Sequence, residues 1–425
     1  MPGRYGTGSR PGRGARPSAS ATYPPPVKSK WSDAQTGRAY APPLARLWRL
    51  PRQGERVDPA GIVARRVGLQ WASTDADYKF VSGLPFTPKA IILFTDSNAT
   101  TGYFVSVGMA AAETLEVKPT VRSVGGRNVN LVAAGGEYGR AHRSTAFGVP
   151  PKDSGGAGWQ EETQLHLSIQ PDGFSVLQSP RVTGTTVLGF ALILGGANLR
   201  AEVRTIAVPA GTGNQTYSGF AFAPEALFLM THGGAVDTTG TDLRLGFGVA
   251  DSILSRGCVA VASDDAATTN TWRYQRKTRC IASIVPSSGA VQFEADIVGY
   301  TSDGFTLNWL TAGSGPEVSV LALAGLASRA GNDTQRTSVG TKTTSGLNLD
   351  PKGLLLMGTS RVATDIVDSE NNLALGFGAT TPSVGGTSLW AGDVDAVTTT
   401  DCDSAGLTSP TGSFRFANPV GASNF

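Results

Sequence analysis

The stretch FAPEALFLM (222–230) recurs with small changes as FTPKAIILF (86–94) and LDPKGLLLM (349–357). Each copy sets a proline ahead of a run of apolar residues. Proline has no amide hydrogen to give to a ladder, so it is tolerated where a strand begins. The run behind it, AIILF or ALFLM, is apolar on both faces, like a strand buried on both sides. The phrase marks a strand entry, and three copies of it predict three copies of something larger.

Other landmarks repeat in the same order. FVSVGMA (104–110), LRLGFGVA (243–250) and LALGFGAT (373–380) place their first glycines 20, 22 and 25 residues beyond Pro88, Pro224 and Pro351, which aligns Gly108 with Gly246 and Gly376. These glycines allow a neighbouring backbone to come close or form a bulge, while Phe247 or Phe377 fills the core. Two copies continue to PDGFSVLQS (171–179) and SDGFTLNWL (302–310), then to TTVLGFALILGG (185–196) and EVSVLALAGL (317–326). Asp-Gly favours a tight turn, and Phe305, Leu307 and Trp309 then alternate with Thr306 and Asn308, one face in and one face out. The period is about 130 residues.

The expected fold is all-β: tandem antiparallel β-sandwich modules behind a Pro/Arg/Gly-rich N-terminal arm. The expected segments are a basic extended arm over 1–66, module 1 over 67–200, module 2 over 201–330 and a truncated module 3 over 331–425. The third copy lacks both the Asp-Gly-Phe turn and the closing strand before Phe425. Either its open edge is completed by another chain, or it is a smaller self-contained domain.

Composition agrees with this reading. Among 425 residues there are 54 Gly and 25 Pro, yet 40% are hydrophobic. Such a chain is poor in helix formers and rich in turn formers. No apolar window of about 18 residues exists, and no apolar core follows the basic N-terminus, so neither a membrane span nor a secretory signal is expected. Cys258, Cys280 and Cys402 show no metal-ligand spacing and are expected as thiols in a reducing cytosol. A hairpin centred near residue 269 would set Cys258 opposite Cys280.

Charge is concentrated at one end. Residues 1–66 carry 13 Lys and Arg against three acids, and 10 of the 25 prolines. Such a segment buries too little apolar surface to fold alone. Arg4, Arg10, Arg13 and Arg16 supply charge, and Tyr23, Trp31, Tyr40 and Trp48 are spaced like anchors for grooves on another subunit. The competing reading is a solubilising tail.

Catalytic signatures are missing. There is no G-x-S-x-G elbow, no H-E-x-x-H and no phosphate-binding glycine loop. His142, His166 and His232 pair with no nucleophile or metal partner in sequence, and His166 shares an alternating face with Gln164 and Ser168, as a solvent-facing strand residue would. Glu161-Glu162, Asp264-Asp265, Asp296 and Asp303 could serve a carboxylate-pair mechanism. Asp393, Asp395, Asp401 and Asp403 could hold calcium, though their spacing matches no EF-hand. Both sets read more simply as solvated loops, and no catalytic residue, metal or cofactor is assigned.

One local patch stands out, WRYQRKTR (272–279), where Arg273, Arg276, Lys277 and Arg279 interleave with Trp272 and Tyr274. Charge plus rings suits contact with nucleic acid or an acidic surface. The simpler reading is an exposed edge strand guarded by cations, with Arg273, Lys277 and Arg279 on one face with Gln275.

The landmarks F-x-P-[KE]-A plus apolar run, L-x-L-G-F-G and D-G-F-x-[VL] resemble those of bacteriophage virion proteins of the tail, tail-fibre or head-decoration type, over roughly residues 67–425. The resemblance implies a multi-copy, non-enzymatic structural subunit, assembled in the host cytoplasm and located in the virion. Its arm would tie it to other virion subunits and to copies of itself. The alternative is a receptor- or glycan-binding module of a tail fibre, with Trp272, Tyr274 or Trp390 as stacking platforms for a host surface glycan. A polysaccharide depolymerase and a nucleic-acid-binding arm are the least favoured readings, and no membrane partner is expected.

Overall fold

The computed structural model describes residues 62–71, 78–97, 102–112, 118–129, 139–150, 164–179, 187–252, 255–264, 271–333, 343–359, 366–368, 372–382, 386–394 and 403–409. The chain divides into two units, Met1–Leu50 and Pro51–Phe425, and all described residues belong to the second. Every regular element among them is a β-strand.

Module 1 contributes β1 (Ile62–Trp71), β2 (Tyr78–Val81), β3 (Pro88–Ser97), β4 (Gly102–Ala111), β5 (Thr120–Val129), β6 (Gly139–Arg143), β7 (Gln164–Gln170), β8 (Gly173–Ser179) and β9 (Val187–Gly196). Module 2 contributes β10 (Arg200–Ala207), β11 (Gly213–Tyr217), β12 (Ala226–Thr231), β13 (Thr239–Gly240), β14 (Leu243–Ser252), β15 (Ser255–Ser263), β16 (Thr271–Arg276), β17 (Ile281–Ile284), β18 (Val291–Thr301), β19 (Gly304–Thr311) and β20 (Glu317–Ala324). Module 3 contributes β21 (Leu354–Gly358), β22 (Ile366–Asp368), β23 (Asn372–Thr380), β24 (Gly386–Val394) and β25 (Asp403–Ser409).

The large sheet of module 1 runs β1-β9-β3-β4-β5-β6, and that of module 2 runs β10-β20-β12-β14-β15-β16, the same connectivity twice. Each is faced by a smaller sheet, β2-β8-β7 in module 1 and β11-β19-β18-β17 in module 2. Module 1 begins at Ile62, inside the stretch read as arm, because β1 pairs with β9 from its first residue. Module 3 shows only β21-β23-β24-β25. Among the described residues it has no equivalent of β1 or β9.

The three entry strands explain why their phrase is apolar on both faces. Ala90, Ile92 and Phe94 of β3, and Ala226, Phe228 and Met230 of β12, point into one core shared by all three large sheets. Ile91 and Leu93 point the other way, into the sandwich interior of module 1, and Leu227 and Leu229 into that of module 2. At the shared core Phe377 of module 3 lies 4.8 Å from Phe94 of module 1 and 5.0 Å from Phe247 of module 2, centroid to centroid. The packing is cyclic: β14 lies against β5 and β6, β23 against β15 and β16, and β4 against β24 and β25.

Two glycine readings change in detail. A Cβ on Gly108 would overlap the carbonyl oxygen of Phe147, and one on Gly248 would overlap that of Cys280. Register agrees, since Gly108 pairs with Leu93 and Gly248 with Leu229. The structural equivalent of Gly108 is therefore the second glycine of LGFG, not the first. In the hairpins, the two turn residues are Pro171-Asp172 and Ser302-Asp303, and the glycine opens the next strand. The glycine is needed because a Cβ on Gly173 or Gly304 would strike the carbonyl oxygen of Val81 or Tyr217. The aspartate carboxylates accept the amides of Gly83 and Gly219, each at 3.1 Å. Both of those glycines have positive φ, 74° and 90°, which an L side chain rarely adopts.

The cysteine geometry is a correction. β15 and β16 pair with Cys258 opposite Arg276, so the hairpin centre lies nearer residue 267 than 269. Cys280 lies beyond the end of β16 and donates its amide to Ala295 of the smaller sheet, at 2.9 Å. Both cysteines are buried and free, and burial raises both thiol pKa values.

Candidate assembly interface

The loop after the entry strand of module 2 reaches across to module 1. There β13 adds to the outer edge of β6, with Thr239 opposite Ala141 and Gly240 opposite Arg140. Asp237, at a φ of 61°, makes the turn that delivers it and accepts the amide of Ser144 at 2.8 Å. Module 3 repeats the device: β22 adds to the edge of β16, with Arg273 opposite Asp368. Each large sheet of the first two modules thus has its far edge closed by the module that follows it.

The seam between modules 1 and 2 is also polar. His142 Nε2 lies 2.6 Å from Ser319 Oγ, and the His142 and His232 rings meet edge to face at 5.2 Å. A serine beside an imidazole is the first contact of a nucleophilic site, but both side chains are buried and Nδ1 of His142 has no hydrogen-bond partner among the described residues. Burial, helped by the charges of Arg122 and Arg143, pushes the His142 pKa down to about 3, and burial lowers that of His232 as well. The pair stays neutral and holds the seam. Across the same seam Arg122 Nε donates to Thr205 at 2.8 Å, and Arg140 lies 3.4 Å from Asp242.

Among the entry strands, the free edge is that of module 3. In modules 1 and 2 the entry strands β3 and β12 are each paired on both sides, by β9 and β4 and by β20 and β14. β21 pairs with β23 alone among the described residues. Leu355 and Met357 pack, half-buried, against the shared core, as their counterparts do. Leu354, the counterpart of the buried Ile91 and Leu227, is 42% exposed. Farther in, Ser388 and Trp390 of β24 are buried.

The basic run 272–279 is neither the exposed edge strand nor the open patch expected of it. β16 is no sheet edge, since β15 and β22 flank it. Tyr274 and Arg273 are buried, Trp272, Arg276 and Arg279 are half-buried, and of the six only Lys277 is exposed. Two of the cations turn inward: Glu294 takes Arg279 at 3.3 Å and Arg276 at 4.0 Å, and it also accepts the Tyr274 hydroxyl. Arg276 additionally lies over the Tyr274 ring, 5.3 Å from its centroid. The alternation that would have put Tyr274 in the core was present in the sequence, but the acid that collects the cations lies on a strand about twenty residues away. Trp390 is buried too, so none of the three nominated stacking rings is open.

The remaining candidates separate rather than converge. Asp296 is held by both nitrogens of an Arg256 fork, at 2.8 and 2.9 Å, and Asp303 is spent in its turn. Asp264 does find a carboxylate neighbour, Asp242, and burial together with that neighbour raises its pKa. Asp393 and Asp403 occupy positions in paired strands. Glu161, Glu162, Asp265, Asp395, Asp401 and Cys402 lie outside the described residues, as do the arm residues Arg4, Arg10, Arg13, Arg16, Tyr23, Trp31, Tyr40 and Trp48. No group of three or more His, Cys, Asp or Glu side chains suited to a metal ion occurs among the described residues.

No family model, curated protein or solved structure matches this chain. Its functional reading therefore rests on its own geometry. No helix among the described residues is long and apolar enough to cross a membrane, which says nothing of strands.

Proposed function

We propose that the protein is a structural subunit of a bacteriophage particle, which assembles with copies of itself and with other virion subunits through the β21 edge and the N-terminal arm. The observation that carries this reading is the unequal treatment of three equivalent strands. β3 and β12 are enclosed by their own chain, whereas β21 keeps one side unpaired among the described residues and exposes Leu354. Five residues, LLLMG, form that strand, with no charge and no proline to discourage pairing. Two β21 edges can pair antiparallel about a two-fold axis, which is the self-complementary contact of a closed dimer. Many weak contacts of this kind add up in a multi-copy particle.

The test is incorporation. Particles complemented with a chain lacking residues 1–50, or carrying Leu354→Asp, are expected to lose this subunit while the soluble protein stays folded. Full occupancy by both variants would remove the proposal.

A further inference from the structure

The small sheet of module 1 presents a second surface. β2 is its edge strand, and its outward side chains Tyr78 and Phe80 are 49% and 70% exposed, with rings inclined by only 19° and centroids 5.8 Å apart. Register extends that face across the sheet. Tyr78 lies opposite Leu177, which lies opposite His166, and Phe80 lies opposite Ser175, which lies opposite Ser168. The face therefore has an aromatic margin, with the half-buried His166 and the exposed Ser168 at its far side and Ser175 buried between, and none of these six side chains is an acid, a lysine or an arginine.

Module 2 supplies an internal control. A Cβ on Gly173 would meet Val81, and one on Gly304 would meet Tyr217, so those two positions correspond. Counting back, Tyr78 and Phe80 occupy the places of Asn214 and Thr216, which are exposed and polar. Thr216 there only meets Thr306, hydroxyl to hydroxyl, at 2.9 Å. The same sheet thus folds without aromatic residues at these sites, so the rings of module 1 are not required by packing. Edge pairing is also a poor explanation for them. β2 has four residues and carries Lys79, both of which discourage strand addition.

We infer that this face is a binding platform for a neutral saccharide. A pyranose has an apolar C–H face suited to an aromatic ring and equatorial hydroxyls suited to Tyr78, His166 and Ser168, Ser175 being buried beneath that face. The lack of fixed charge on the face selects against acidic or cationic sugars. The inference stands independently of the assembly reading, because β2 and β21 belong to different modules.

The experiment uses the full chain on an array of neutral and charged oligosaccharides, followed by titration with the best neutral hit. Tyr78→Asn and Phe80→Thr install the residues of module 2 and are expected to leave the melting temperature unchanged. Each is expected to weaken binding by about tenfold, and the pair to abolish it. His166→Ala is expected to alter selectivity among neutral sugars. No neutral hit for the unmodified chain, or a hit whose affinity survives the double variant, overturns the inference. Loss of self-association in the double variant, with no sugar bound by either protein, also overturns it and assigns the face to a protein partner.

Discussion

Modules 2 and 3 write their entry strands almost alike, as ALFLM (226–230) and GLLLM (353–357), yet bury them differently. Leu227 and Leu229 are enclosed between β12 and the β11-β19-β18-β17 sheet, at 3% and 0% exposure, while Leu354 in the matching place is 42% exposed. The inward residues differ less, Leu355 and Met357 being half-buried where Phe228 and Met230 are buried. Phe228, Met230, Leu355 and Met357 all pack against the same central cluster. A strand apolar on both faces thus needs two covers. The shared core supplies the first to every module, and among the described residues a second sheet supplies the other in modules 1 and 2 alone.

The most severe way to break that comparison is at the glycine that admits the second sheet. Gly248→Val would drive a side chain into the Cys280 carbonyl, where the neighbour is backbone and cannot swing aside. The expected loss is on the order of 5 kcal/mol, read as failure to recover soluble folded protein.

Next in size is the residue where the three modules meet. Phe377→Ala removes a fully buried ring that touches Phe94 and Phe247, and should cost about 4 kcal/mol in denaturant unfolding. Because the cavity is shared, all three modules should lose stability in one transition. Selective melting of module 3 would show that the cores are separate.

The seam between modules 1 and 2 should be acid-sensitive. His142 and His232 have folded pKa values below their unfolded ones, so the unfolded chain binds protons that the folded chain does not. Stability is then complete above pH ~6.5 and falls on acidification, by about 1.4 kcal/mol per pH unit for each ring. For His142 this continues towards a pH of about 3. Equilibrium unfolding from pH 7 to pH 5 reads the slope, and His142→Asn should reduce it. An unchanged slope would mean that the ring is not the responsible group.

Asp303→Ala is a smaller perturbation. It removes the acceptor for Gly219 and should cost about 1 kcal/mol, with Asp172→Ala matching it in module 1. Unequal costs would mean that the two hairpins are alike only in outline.

Much of this architecture was legible in the chain. The proline-led runs named the buried strands, LGFG named the close approaches, and the alternation after Asp-Gly named the inner face of the small sheets. What was hidden depends on residues far apart in sequence. Spacing alone aligned Gly108 with Gly246, because the strand-to-strand loops differ in length and only the facing carbonyl reveals Gly248 as its counterpart. Trp272, Arg273 and Tyr274 read as an open patch because neither Glu294 nor the covering strand β22 is local to them. The ring at Phe80 drew no notice, since YKFV is too short to show a pattern and its exposure becomes visible only beside Asn214 and Thr216.

The β21 edge is proposed as an acceptor for another chain. Sedimentation velocity of the unmodified protein beside Leu354→Asp, over a range of concentrations up to about 100 μM, tests it directly, because an exposed position should change stability by less than about 1 kcal/mol. The unmodified chain is expected to associate in a concentration-dependent way, and the Leu354→Asp chain to stay monomeric with the same melting temperature. Equal association of both proteins, or a substitution that unfolds the chain as Leu227→Asp should, would contradict it.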